Sequence, residues 1–99
     1  SGNSHESMVG AGSIIAGAHV RDSVLGFDVH INEGTFVEGA VIMPGTRVGR
    51  GAVIRNAVID KYCTIPDGTQ IGVDVEQDKA RGFTISDGGI VVLGKGITL

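Results

Sequence analysis

Aliphatic side chains return along this chain at an interval that no helix reproduces. Steps of 17 residues connect Ile14, Ile31, Val48 and Ile65, and likewise Val20, Val37, Ile54 and Ile71. Two further columns are Met8, Leu25, Ile42, Ile59 and Val24, Val41, Val58. At 3.6 residues per turn the interval is about 4.7 turns, so the marks would drift off any single helical face. Within a period the inward marks fall 6, 5 and 6 residues apart, and a small or short side chain precedes each by two positions, as Ala18 precedes Val20, Ser23 precedes Leu25 and Cys63 precedes Ile65. Period-two alternation puts both members of such a pair on one side of a strand. Three short strands per period, each followed by a change of direction, account for the pattern. Gly17, Gly34, Gly51 and Gly68 recur at one of these corners, where a positive φ costs glycine nothing. The predicted fold is all-β, a single-stranded triangular parallel β-helix of hexapeptide-like repeats with about 17 residues per coil.

Residues 8–72 carry the coils, after a polar segment over 1–7 that is expected to be flexible. The repeat stops after Gly72. The polar run from Val73 to Gly82 reads as a connection or short helical turn. Phe83 to Ile85 and Ile90 to Leu93 read as short strands around the turn Asp87-Gly88-Gly89. Residues 73–99 are therefore expected to connect to the prism and to cap or continue it. Arg21, Glu38 and Arg55 alternate in sign up one outer column and Glu33, Arg50 and Asp67 up another, which sets opposite charges beside each other.

Composition narrows the class. Seventeen glycines, three phenylalanines, one tyrosine and no tryptophan in 99 residues argue against a helical bundle. No apolar run approaches the roughly 20 residues of a membrane span, and the start is polar, so neither an anchor nor a signal peptide is expected. Eight basic and 11 acidic residues give a net charge of −3, which offers no general field for polyanions. No nucleic-acid or membrane partner is expected. A single cysteine, Cys63, excludes an internal disulfide and fits a reducing, cytoplasmic setting.

Candidate chemistry is sparse. His19 and His30 lie in different columns without a visible acidic neighbour there, and with His5 they form no metal-ligand pattern, so no metal site is assigned. Pro44-Gly45-Thr46-Arg47 and Gly94-Lys95-Gly96 lack Walker spacing. Thr46 and Cys63 fall in an inward column with Gly12 and Val29 and read as core residues. Two lysines remain unexplained by charge ladders: Lys61, in a column with Gly10, Phe27 and Pro44, and Lys95, flanked by glycines just past a strand. Val24, Val41 and Val58 each lie between two inward residues, so they face outward as a candidate interface.

Several segments carry a resemblance. Ser7-Met8-Val9, Gly12-Ser13-Ile14-Ile15, Val41-Ile42-Met43-Pro44, Val58-Ile59-Asp60-Lys61, Ile65-Pro66-Asp67-Gly68 and Gly89-Ile90-Val91-Val92-Leu93-Gly94-Lys95 together resemble the C-terminal region of the glucose-1-phosphate adenylyltransferase (ADP-glucose pyrophosphorylase) family, most closely its actinobacterial form. The resemblance implies a left-handed β-helix that packs on an N-terminal nucleotidyltransferase domain, helps build a homotetramer and helps form an allosteric site for a phosphorylated effector. In that family the N-terminal domain uses ATP with Mg2+ and glucose 1-phosphate to make ADP-glucose and pyrophosphate for glycogen synthesis. No counterpart of its catalytic motifs lies in this sequence, so no catalytic residue or cofactor is assigned here. Lys61 matches the basic residue after Val-Ile-Asp that contacts effector phosphate, and Lys95 matches an activator-site lysine near the end of plant and cyanobacterial relatives. The competing reading is a stand-alone trimeric hexapeptide acyltransferase, with His19 or His30 at a subunit seam.

Overall fold

The computed structural model describes residues 3–99, with side chains from Glu6 onward. Residues 1–2 of the expected flexible segment, and the His5 side chain, lie outside the described residues. The chain winds into a parallel β-solenoid of 34 × 22 × 22 Å. One face stacks β1 (Asn3–His5), β4 (His19–Arg21), β7 (Phe36–Glu38), β10 (Val53–Arg55) and β13 (Gln70–Ile71). The second stacks β2 (Met8–Val9), β5 (Val24–Leu25), β8 (Val41–Ile42), β11 (Ala57–Ile59) and β15 (Val91–Leu93), with β14 (Thr84–Ile85) at its end. The third stacks β3 (Ile14–Ile15), β6 (His30–Ile31), β9 (Arg47–Val48) and β12 (Thr64–Ile65). All pairings are parallel except β14 on β15. Asn3–His5 pairs with His19–Arg21 and so adds a rung upstream of Met8.

Inside the prism the aliphatic columns form as the spacing requires. Val20, Val37, Ile54 and Ile71 line the first face, Leu25, Ile42, Ile59 and Leu93 the second, and Ile31, Val48 and Ile65 the third, all buried. Each such side chain removed from water contributes about 1.5–3 kcal/mol before chain entropy is subtracted. The preceding small residues form a second inward layer, part of it polar. The Thr35 hydroxyl donates to Gly49 O at 2.7 Å and accepts from Ala52 N at 3.2 Å. Thr46 likewise donates to Asp60 O at 3.1 Å and accepts from Cys63 N at 3.4 Å. These hydroxyls bond one coil to the next where a corner interrupts the ladder.

The first coil departs from the expected register. Ile15, not Ile14, pairs with Ile31, and Val9, not Met8, pairs with Leu25. Ile14 and Met8 are 52% and 71% exposed. The step from the first coil to the second is therefore one residue short of 17. Only Ala16, Gly17 and Ala18 separate β3 from β4, where Asn32, Glu33, Gly34 and Thr35 separate β6 from β7. The same slip puts Ser13, not Gly12, in the inward column with Thr46. Its hydroxyl accepts from Val29 N at 3.0 Å and donates to Gly26 O at 2.8 Å. Past this corner the glycine column holds, with Gly17, Gly34, Gly51 and Gly68 all at positive φ.

The outer charge columns are in register, Arg21 opposite Glu38 and Glu38 opposite Arg55, yet no ion pair joins them among the described residues. Arg55 instead lies 5.5 Å from the centre of the Phe36 ring, and Asp67 accepts the Arg50 backbone N–H at 2.7 Å.

After β13 the chain leaves the prism and returns to it. Asp74 caps α1 (Val75–Ala80) by accepting from Glu76 N and Gln77 N. Asp78 is fully buried. One of its carboxylate oxygens accepts from Gly72 N at 3.0 Å, and the other lies 3.9 Å from Arg81 Nη1 without a hydrogen bond. Arg81 donates to Gln70 O at 2.7 Å. The excursion is thus fastened to the last rung of the first face. Ala57 pairs with Val91 and Ile59 with Leu93, an offset of 91 − 57 = 34 residues, or two periods. Because the excursion uses up one whole period, the columns resume in phase. β15 continues the prism, and antiparallel β14 closes its edge.

Candidate functional site

The corner after the second face brings the two unexplained lysines together. Residues Gly12, Asp28, Gly45, Tyr62 and Gly96 all take positive φ there, between 56° and 79°. Above Pro44-Gly45, the Lys61-Tyr62 turn is held by Tyr62 N donating to Pro44 O at 3.1 Å. The Gly94-Lys95-Gly96 turn lies on it in turn, with Gly96 N donating to Lys61 O at 2.8 Å. The buried Cys63 thiol donates to Gly94 O at 3.2 Å and fastens the two turns from inside. Its role is internal, as the sequence suggests for that column.

Lys61 and Lys95 are both exposed and occupy successive coils, whose backbones lie about 4.8 Å apart. Among the described residues neither ammonium has a carboxylate within ion-pair distance. The adjacent Asp60 side chain accepts from Lys61 N at 2.7 Å and is occupied by that turn. Lys95 Nζ lies 5.9 Å from the centre of the Tyr62 ring. Like charges on neighbouring rungs repel, and an anion held at this corner would offset that repulsion. Lysine suits that task as a flexible point charge with three donors.

Tyr62 is the site residue that sequence reasoning missed. Its signal was available, because a bulky aromatic stands in the corner position held by glycine at Gly45 and Gly96 in the neighbouring coils. Its ring packs on Gly45, where a Cβ would come within 2.6 Å of Tyr62 Cε1. A second missed contact joins Asp28 to His30 at 3.3 Å. The left-handed Asp28 backbone, φ 56°, turns its carboxylate toward the strand that follows. Arg47 binds both oxygens of that carboxylate, at 3.1 and 3.2 Å, and its Nη1 also donates to Asp28 O at 2.6 Å. His19 is exposed on the first face, away from this cluster.

The outward valines occupy one column as the sequence requires, with Val24 and Val41 exposed and Val58 half-buried. The column continues to Val92, which pairs with Val58 across the two-period return. No helix among the described residues is long and apolar enough to cross a membrane.

Residues 1–93 match the family described as GlmU-like, C-terminal hexapeptide. The chain is also similar to proteins named glucose-1-phosphate adenylyltransferase. That of Corynebacterium jeikeium is 52% identical over 98 residues, covering 99% of this chain and 24% of the relative. That of Corynebacterium diphtheriae is 51% identical over 94 residues, covering 95% and 22%. That of Deinococcus radiodurans is 42% identical over 95 residues, covering 96% and 23%. The chain thus spans about a quarter of the length of these relatives. A repeat that closes into a parallel solenoid, matched over nearly its whole length, places this chain in the GlmU-like C-terminal hexapeptide family.

Proposed function

We propose that this chain is the C-terminal regulatory and assembly module of a glucose-1-phosphate adenylyltransferase, and that the Lys61–Lys95 corner receives the phosphate of an effector. The observation that carries the reading is the stacking of two exposed lysines on adjacent coils, with no carboxylate paired to either ammonium among the described residues. Transfer of the adenylyl group from ATP to glucose 1-phosphate belongs, in this reading, to an N-terminal domain outside these residues. Val24, Val41, Val58 and Val92 supply an apolar outer column for packing against that domain or between subunits of a cytoplasmic homotetramer.

The test is kinetic. In the full-length protein, Lys61→Ala and Lys95→Ala should each raise the concentration of phosphorylated effector needed for half-maximal activation by about tenfold or more, with unactivated turnover retained. Unchanged activation in both variants would refute the assignment. The acyltransferase reading gains an oriented histidine from the Asp28–His30 contact. However, the Asp28 carboxylate is already bound through both oxygens by Arg47, which weakens its hold on the imidazole.

A further inference from the structure

We infer that Tyr62 is a specificity-determining platform, so that this corner selects a phosphate monoester carrying a ring, whose face lies on the tyrosine while its phosphate engages Lys61 and Lys95. The inference rests on the effector-site reading above and adds the chemical class of the ligand.

Three observations set Tyr62 apart from a residue placed for folding. Its backbone is left-handed, with φ 58°, a conformation uncommon for bulky side chains. The corner does not require an aromatic to close, since glycine makes the same turn at Gly45 and Gly96. Nor is the ring there for the core, because Tyr62 is 59% exposed. A strained, solvent-facing aromatic with no structural task is the kind of outlier from which a function is inferred.

The surroundings specify what the ring meets. Gly45 has no side chain, and one added there would collide with the ring, so the ring is seated against backbone in a defined position. Lys61 precedes it in the same turn. The Lys95 ammonium, 5.9 Å from the ring centre, stands over the π-face at the limit of a cation–π contact. A phosphate drawing Lys95 toward itself leaves that face open to the group the phosphate carries. An aromatic face beside two ammoniums matches a molecule with a dianionic end and a flat or C–H-lined ring. Sugars and nucleobases both present such rings, and stacking on an aromatic depends little on which base is presented.

Hydrogen exchange read by mass spectrometry on the full-length protein tests this at the site itself, independent of any nucleotide bound elsewhere. The peptides to follow contain residues 60–64 and 94–99, and the probes are inorganic phosphate, ribose 5-phosphate and uridine 5′-monophosphate. In the native protein, at least one ring-bearing probe should protect these peptides at about tenfold lower concentration than inorganic phosphate. Tyr62→Asn keeps a residue that accepts the left-handed turn but removes the ring. It should abolish that preference and leave protection by inorganic phosphate unchanged, while Tyr62→Phe preserves the preference. Equal protection by the two ring-bearing probes assigns the stacked group to the sugar, and stronger protection by the nucleotide assigns it to the base. A preference that survives in Tyr62→Asn, or is missing from the native protein, overturns the platform while the phosphate site stands. Protection by inorganic phosphate that is absent, or indifferent to Lys61→Ala and Lys95→Ala, overturns both.

Discussion

Thr35→Val separates two explanations for the stability of the prism, apolar burial and internal hydrogen bonding. Thr35 is fully buried, and valine matches its shape, so the substitution leaves no cavity and adds apolar surface to the core. On burial alone it is neutral or slightly stabilising. The hydroxyl, however, donates to Gly49 O and accepts from Ala52 N one coil above. Ala52 is fully buried, so its N–H would be left without a partner at a cost of about 1–3 kcal/mol, and loss of the bond to the half-buried Gly49 carbonyl adds roughly 1 kcal/mol. Set against a gain of less than about 1 kcal/mol from the added methyl group, the net loss is about 2 kcal/mol. Thr35→Ser keeps the hydroxyl and loses one methyl, about 1 kcal/mol. Urea denaturation followed by circular dichroism should therefore rank native above Ser above Val, with the midpoint moving and the slope constant. A Val variant as stable as the Ser variant would refute the claim that these hydroxyls bind coil to coil.

Other positions test the excursion, the corner and the outer column. Asp78→Ala removes the acceptor of Gly72 N and the carboxylate beside Arg81. The loss of a charge-assisted bond of about 2 kcal/mol should make tryptic cleavage at Lys79 or Arg81 roughly thirtyfold faster through local opening, and an unchanged cleavage rate would show that the excursion is held elsewhere. Gly45→Ala combines a positive φ with the collision against the Tyr62 ring. It should cost about 2 kcal/mol or more in the native chain and less when Tyr62 is also replaced by Asn, a coupling that a double-mutant cycle measures. Val41→Glu, in the middle of the outward column, should leave the melting temperature of the isolated fold within a few degrees while weakening subunit or domain association in the full-length protein, measured by sedimentation. Unaltered association would remove the column from the interface.

Much of the prism could be read directly because its rule is arithmetic. A period shared by Val20, Val37, Ile54 and Ile71 dictates a buried ladder whatever the details of each corner, and these four are buried. What the period could not resolve was a corner one residue shorter than the rest. Ile14 and Ile15 are the same residue type, so only the backbone path through Ala16, Gly17 and Ala18 decides which of them faces Ile31. The return of β15 was legible only in outline. Its apolar run announces a strand, but whether it caps or continues the stack depends on how Asp78 and Arg81 fasten the excursion. Lys61 and Lys95 each stand out in the sequence as lysines without a ladder partner. Their adjacency follows from 95 − 61 = 34, the same two-period offset that pairs Ile59 with Leu93. The Asp28–His30 contact depends on left-handed backbone at a residue that is not glycine, for which the sequence carries little warning, whereas Tyr62 stands out in the sequence by sharing a corner column with Gly45 and Gly96.

Local rules and global fold agree along most of the solenoid, with scattered departures such as left-handed Asp22, Asp28 and Asn56, the exposed Phe27 and the buried Asp78 oxygen that has no hydrogen bond. Gly17, Gly34, Gly51 and Gly68 turn their corner with the residue best suited to positive φ. Opposite charges alternate up the outer columns, and hydroxyls answer buried backbone groups. At the Lys61 corner three of these preferences are broken together. A tyrosine occupies a glycine conformation, two ammoniums occupy neighbouring rungs, and an aromatic ring faces water. Glycine makes the same turn at Gly45 and Gly96 in the neighbouring coils, so the corner closes without an aromatic, and Tyr62→Gly and Lys95→Glu are each expected to leave the solenoid folded. Folding stability therefore gives no reason for this cluster. In the reading proposed above, a ligand that neutralises the ammoniums and covers the ring accounts for all three at once.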